Sequence, residues 1–241
     1  MKAFNGSEQL KTDLLAEVIK HRKADQIIKG TYCKSLKEGQ KFRACAVGCS
    51  LHSYSIISDI DLDVSNHKNY ELFGIPMLLA RLEDVIFEGL PEVHYEKWPE
   101  QFLKAINVGA DLSTVWPKFA VWLMIDKKYG VLQYARNHKQ KEAIKMVAYL
   151  YKNNGSIDDF KKAKAAALAC YSSAAAFAAY AAAATFDYTS AYAAATSASY
   201  AATAADSTAY AATSAAATYD TRYKARIAQS KKLLSLMRAC K

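Results

Sequence analysis

Turn-forming residues are scarce in this chain of 241 residues: it has nine glycines and four prolines, the last proline is Pro117, and neither residue type occurs after Gly155. A many-stranded sheet needs such residues at every hairpin, so their scarcity excludes it and favours long helices. Cysteine is sparse too. Cys33, Cys45, Cys49, Cys170 and Cys240 form an odd set without the spacing of a small disulfide scaffold, and Met1 to Gly6 lacks the apolar core of a signal peptide. A reducing, cytoplasmic setting is therefore expected. No long run is strongly lipophilic. Ala165 to Phe186 spans 22 residues without a charge, but alanine contributes little to insertion, and only Leu168, Phe177 and Phe186 favour lipid. No membrane partner is expected.

Against those absences stand a 52% hydrophobic content and 23% charged residues, the balance of a folded protein with a sizeable core. The 32 basic and 23 acidic residues leave a net charge of +9, which favours acidic partners without reaching the density of a nucleic-acid arm. Alanine is concentrated: between Ala163 and Tyr219 it occupies 29 of 57 positions, and most of the others are Ser, Thr or Tyr.

The pattern of apolar residues predicts an all-α fold. Ser7 caps a helix carrying Leu10, Leu14, Leu15, Val18, Ile19, Ile27 and Ile28 at helical spacing as far as Gly30. Ala44 to His52 is rich in small residues and reads as a buried turn or helix start. Asp59, Asp61 and Asp63 alternate like a calcium loop, but Val64 and Tyr70 stand where that loop needs Gly and Glu. Pro76 suits the first turn of a helix ending at Gly89, and further helices are expected from Pro99, from Asp111 or Ser113, and over 137–152. Trp116 and Trp122 read as core anchors. Ser156 and Asp159 form a capping-box pair opening the alanine-rich region. As one helix, residues 156–240 would reach about 125 Å at 1.5 Å per residue, so hairpins or self-association are required. Breaks are expected at Phe186 to Ser190 and at Ala205 to Ser207. Thr185, Thr196, Ser207 and Thr218 recur every 11 residues and predict a hydroxyl stripe reaching water beside closely packed alanines. The expected organisation is a globular helical domain at 1–155 and an alanine-rich helical hairpin or bundle at 156–241.

Chemistry-bearing clusters are few. Cys45, Cys49 and His52 lie at i, i+4 and i+7 on one helical face, an arrangement open to a metal site, an activated thiol, or buried cysteines beside a hydrogen-bonded histidine. Structural zinc asks for a second ligand pair, which only Cys33 with His67 or His94 could supply through the fold. Glu83, Asp84 and Glu88 lie on the Pro76–Gly89 helix, where Asp84 and Glu88 share a face. Paired carboxylates serve acid–base work, but Arg81 beside them favours a surface ion pair. The basic residues Arg222, Lys224, Arg226, Lys231, Lys232, Arg238 and Lys241 read as cations complementing a helix C-terminus. A phosphate-binding glycine loop, a Gly-x-Ser-x-Gly elbow and a His-Glu-x-x-His helix are all absent.

Several phrases together resemble a family of uncharacterised phage and bacterial proteins: Ala3 to Gly6, Ala44 to His52, Tyr70-Glu71 with Phe73 to Pro76, Leu79 to Pro91, and Val108 to Ser113. Members of that family also carry an alanine-rich helical tail. The resemblance implies a phage or prophage setting and marks Cys49, His52, Glu71 and Glu83 as candidate site residues. The function expected is a phage-type intracellular binding protein acting on a host protein or on an acidic small ligand such as a nucleotide. One alternative is a thiol or metal enzyme built on Cys45, Cys49 and His52 with Glu71 or Glu83 assisting. Another is nucleic-acid binding through Arg222–Lys241 and Lys20–Lys29. A homo-oligomer through the alanine-rich helices is a further expectation.

Overall fold

A computed structural model describes residues 1–31, 41–170, 173–185, 206–207, 210–211 and 219–241. Among them every regular element is a helix, so the fold is all-α, and the only strand-like pairing is an isolated parallel bridge between Ile27 and Ala44. The chain divides into two compact units, residues 1–113 with 234–241 and residues 114–233. The boundary expected at 155/156 lies inside the second unit.

The first unit begins with Phe4 and Asn5, both left-handed at φ 52°, which turn the chain so that Phe4 is fully buried. Ser7 then caps α1 (Glu8–Lys23), its hydroxyl accepting from the Leu10 N–H at 3.1 Å. The helix stops seven residues short of the expected Gly30. Asp25 takes the left-handed conformation at φ 54°, and the Gln26 N–H closes back on the His21 carbonyl at 3.0 Å, the pattern that ordinarily uses glycine. Ile27 and Ile28 are thereby moved out of the helical stripe into the bridge with Ala44.

Helix α2 (Ala46–Ser58) starts on Cys45, whose sulfur accepts from the Gly48 N–H at 3.5 Å. Its first turns are buried all round because Ala46, Gly48 and Cys49 are small enough for neighbours to approach from every side. Pro76 sets the entry to α3 (Met77–Gly89), and Pro91 and Pro99 sit at the starts of α4 (Glu92–Tyr95) and α5 (Trp98–Lys104). Helix α1 packs on α2 and α5, and α2 packs on α3. Gly74, at φ 74°, lies where an added Cβ would fall 1.9 Å from the Lys2 carbonyl oxygen, so the Phe73 to Pro76 phrase needs glycine for both conformation and space.

The second unit holds α6 (Val115–Ile125), α7 (His138–Lys152), α8 (Ile157–Ala169), α9 (Ala174–Ala184) and α10 (Tyr219–Arg238) as far as residue 233. Asn137 caps α7, and Ser156 with Asp159 forms the expected capping box on α8. The stretch Ala165 to Phe186 is not one helix: α8 ends at Ala169, and Ser173 caps α9 afresh. No described helix is long and apolar enough to cross a membrane. Eight of the alanines of α9 are buried, and the helix packs on α7 and α8 of the same chain. Trp116 anchors this core as expected. Its indole N–H donates to the Tyr151 hydroxyl at 2.8 Å, which donates in turn to the Ala182 carbonyl at 2.7 Å.

The hydroxyl stripe does not reach water where it is described. Thr185 and Ser207 are both buried, and Thr185 bonds back to the Ala181 carbonyl at 3.1 Å, which lets a hydroxyl occupy an alanine-like site. Thr196, Thr218 and the expected break at Phe186 to Ser190 lie outside the described residues.

Candidate functional site

The Cys45, Cys49 and His52 face of α2 is present as a helical face, but its members look toward different partners. The Cys49 thiol is fully buried and donates to the Ala44 carbonyl at 3.5 Å. Burial pushes the Cys45 thiol well above the usual range, with Asp84 adding to it, so the N-terminal position on α2 does not yield a thiolate. His52, half-buried, stacks on Phe42 at 3.8 Å and meets His21 at 3.2 Å between Nδ1 and Nε2. His21 is held on its other side by Gln26, 2.6 Å from Nδ1. Burial lowers both histidines below the usual imidazole value, which keeps this pair neutral and joined by one shared hydrogen bond. Among the described residues no three His, Cys, Asp or Glu side chains converge as a metal site would require. Cys33 lies outside the described residues.

The acidic candidates separate as well. Glu71, half-buried, is on the short helical turn His67–Phe73. Glu83 is fully buried; Tyr70 donates to its Oε2 at 2.6 Å, while Oε1 has no hydrogen-bond partner. Burial raises this carboxyl well above the usual glutamate range, which favours its protonated form. The surface ion pair expected with Arg81 does not form. Asp84 pairs instead with the buried His67 at 3.1 Å, and both Glu88 oxygens accept from the Gly30 N–H at 3.1 and 3.0 Å. His94 is exposed on α4. The group Tyr70, Glu83, His67 and Asp84 thus knits α3 to the preceding turn, a meeting that no local pattern in the chain announces.

Among the described residues, the second unit brings aromatic and cationic side chains together around one opening, where the sequence pointed to core and helix-end roles. A cleft of about 550 Å³ opens between the end of α6 and one face of α10, lined by Trp122, Tyr129, Lys224, Ile227, Lys231 and Lys232. Trp122 is a half-buried wall rather than a core anchor. Phe119 stacks behind it at 5.9 Å with the rings 12° from parallel, and Tyr129 flanks it at 6.1 Å. The turn carrying Tyr129 is fixed by Asp126, whose Oδ1 accepts from the Lys128 and Tyr129 N–H groups at 2.9 and 2.8 Å. Lys128 then lies over the Tyr129 ring, 5.3 Å from its centre.

On α10 the basic residues do not all serve the helix end. Arg238 alone sits in the last turn. Lys224, Ile227, Ala228 and Lys231 fall at i, i+3, i+4 and i+7 and present one stripe to the cleft. The arginines turn elsewhere: Arg226 is fully buried, paired to Asp206 and hydrogen-bonded to Gln229 at 2.9 Å, and Arg222 reaches Asp206 at 3.5 Å. Burial lowers the Arg226 guanidinium to about 10, with Asp206 opposing the fall, so it stays charged at neutral pH. The Lys20–Lys29 stretch is also engaged internally, Lys20 with Glu17, Arg22 with Glu100, and Lys29 with the Glu88 and Leu90 carbonyls.

No protein-family model, curated protein or solved structure matches this chain.

Proposed function

We propose that this chain is a binding protein for an acidic, planar small molecule of the nucleotide class, held in the cleft between α6 and α10. The observation that carries the reading is the placing of two aromatic side chains, Trp122 and Tyr129, among four lysines, Lys128, Lys224, Lys231 and Lys232, around one opening of ligand size. A base is bound by a π-face and a phosphate by ammonium groups, and the cleft offers both within one turn and one helix face. The net charge of +9 draws such ligands toward the molecule. In the phage or prophage setting that the sequence resemblance implies, the ligand is met in the cytoplasm. A thiol-enzyme role has less support, because Cys45 is kept protonated by burial and Cys49 is buried against the Ala44 carbonyl.

The test is nucleotide titration of the full chain, read by tryptophan fluorescence and thermal unfolding. A nucleoside phosphate at 100 times its Kd stabilises the folded chain by about 2.7 kcal/mol. Trp122→Ala and the pair Lys231→Ala/Lys232→Ala each weaken binding by about tenfold or more, and the lysine pair does so while leaving the unliganded unfolding midpoint nearly unchanged. A chain whose unfolding is indifferent to every nucleotide tried overturns the reading.

A further inference from the structure

We infer that His21 and His52 form a binding site for one first-row transition dication of the zinc, nickel or cobalt class, held between α1 and α2 in the first unit. It is independent of the nucleotide reading. Two imidazoles that share such an ion, with nitrogens about 2.05 Å from it and about 100° apart, place those nitrogens about 3.2 Å and their ring centres about 5.0 Å from each other. His21 Nε2 and His52 Nδ1 are 3.2 Å apart, and the ring centres are 5.0 Å apart. A head-on N–H···N bond of the same length sets the centres at about 5.5 Å, since a ring nitrogen lies about 1.1 Å from its ring centre, so these two rings are tilted off that line.

Both donors are prepared as ligands. The Gln26 side-chain oxygen lies 2.6 Å from His21 Nδ1, and an amide oxygen only accepts, so Nδ1 carries the proton and Nε2 keeps its lone pair toward His52. An acceptor behind the ring in this way fixes the tautomer and orientation of a metal-binding histidine. His21 is 5% exposed, and the half-buried His52 is stacked on Phe42 at 3.8 Å, so neither ring has to be ordered when the ion arrives. Burial favours the neutral form of both, which is the form that coordinates. The acidic side chain acting on both rings is Glu17, four residues before His21 on α1, and its sign favours a cation. Neutral nitrogen donors select against magnesium and calcium, which take oxygen. The ion takes the place of the shared hydrogen bond: His52 moves its proton from Nδ1 to Nε2, and the pair loses none. Among the described residues no third His, Cys, Asp or Glu completes the set, so water fills the remaining positions, as at an open centre rather than a structural one.

The experiment titrates the full chain, stripped with a chelator, with Co²⁺ and reads electronic absorption. Cobalt binds at one equivalent, giving ligand-field bands without a thiolate-to-metal charge-transfer band. His52→Ala, at a half-buried position, weakens binding by about tenfold or more, and Gln26→Ala weakens it by about tenfold by releasing the His21 ring. His94→Ala, at an exposed position on α4, leaves it unchanged. Far-UV circular dichroism checks the folding of each variant, and Gln26→Ala carries the test if His52→Ala does not fold. A chain without saturable cobalt binding overturns the inference. So does a thiolate band, which places the ion on cysteine, and so does binding of wild-type strength in the folded His52→Ala or, in its place, Gln26→Ala variant.

Discussion

Glu83 is the residue whose chemistry is most at odds with its surroundings. Its carboxyl lies in the core with one oxygen satisfied by Tyr70 and the other without a partner, and an unmet buried acceptor costs about 1–3 kcal/mol. Burial raises its pKa well above the ordinary glutamate value of 4.5, so the native chain still holds a proton there after the unfolded chain has released it. Native proton uptake larger than unfolded uptake means that stability falls as pH rises from about 4.5 toward the folded pKa, by at most about 1.4 kcal/mol per pH unit. The His21–His52 pair acts in the opposite sense, since burial lowers both imidazoles and makes acid destabilising below their ordinary value of 6.5. Glu83→Gln removes the first effect alone: the glutamine keeps an acceptor for Tyr70 and carries no titrating proton. As pH rises above about 4.5 the wild-type unfolding midpoint falls relative to that of the Gln variant, whose profile lacks this slope. Parallel profiles for the two proteins would show that this carboxyl is not the source of the slope.

At the scale of the element, α9 is built almost wholly from alanine and is buried nearly all round, which works because alanine lets α7 and α8 approach closely. Such a helix has no room to spare. Ala179→Leu adds three carbons at a fully buried position and destabilises by about 1–3 kcal/mol. Ala165→Leu, on an exposed position of α8, stays within about 0.5 kcal/mol, so denaturant unfolding of the two variants separates packing from composition. What the sequence made legible at this scale was the set of local signals: the caps Ser7 and Ser156, the prolines that open α3 and α5, and the small residues that let α2 begin inside the core. The end of α1 was missed because Asp25 adopts a conformation that sequence rules assign to glycine. The cleft was missed for a different reason. Trp122 and Lys224 are about a hundred positions apart in the chain. Each has an ordinary local explanation, a core aromatic and a helix-end cation, and only their shared place around one cleft cancels both. The buried Glu83 was flagged, but as an acid–base candidate, since no local pattern distinguishes a catalytic carboxyl from one sealed beside a tyrosine.

For the whole molecule, the candidate residues named by the sequence and the cleft named by the geometry fall in different compact units, which makes the two readings separable in one measurement. Cys45, Cys49, His52, Glu71 and Glu83 belong to residues 1–113, and the lining of the cleft belongs to residues 114–233. Amide exchange reports local opening, and a ligand slows it most where its contacts hold backbone that would otherwise open. With a saturating nucleoside phosphate, exchange slows over the end of α6 and the following turn, residues 119–130, and over α10 from Arg222 to Leu233. The α2 and α3 amides exchange as in the unliganded chain. Raising salt from 50 to 200 mM reverses the protection at fixed ligand concentration, because lysines that meet phosphate at an open cleft are screened within about 10 Å. Protection centred instead on residues 45–58 and 77–89 would move the ligand to the Cys49, His52 and Glu83 region and leave the cleft without a role. The measurement therefore decides between the thiol-bearing helix and the lysine-bearing one without depending on any single substitution.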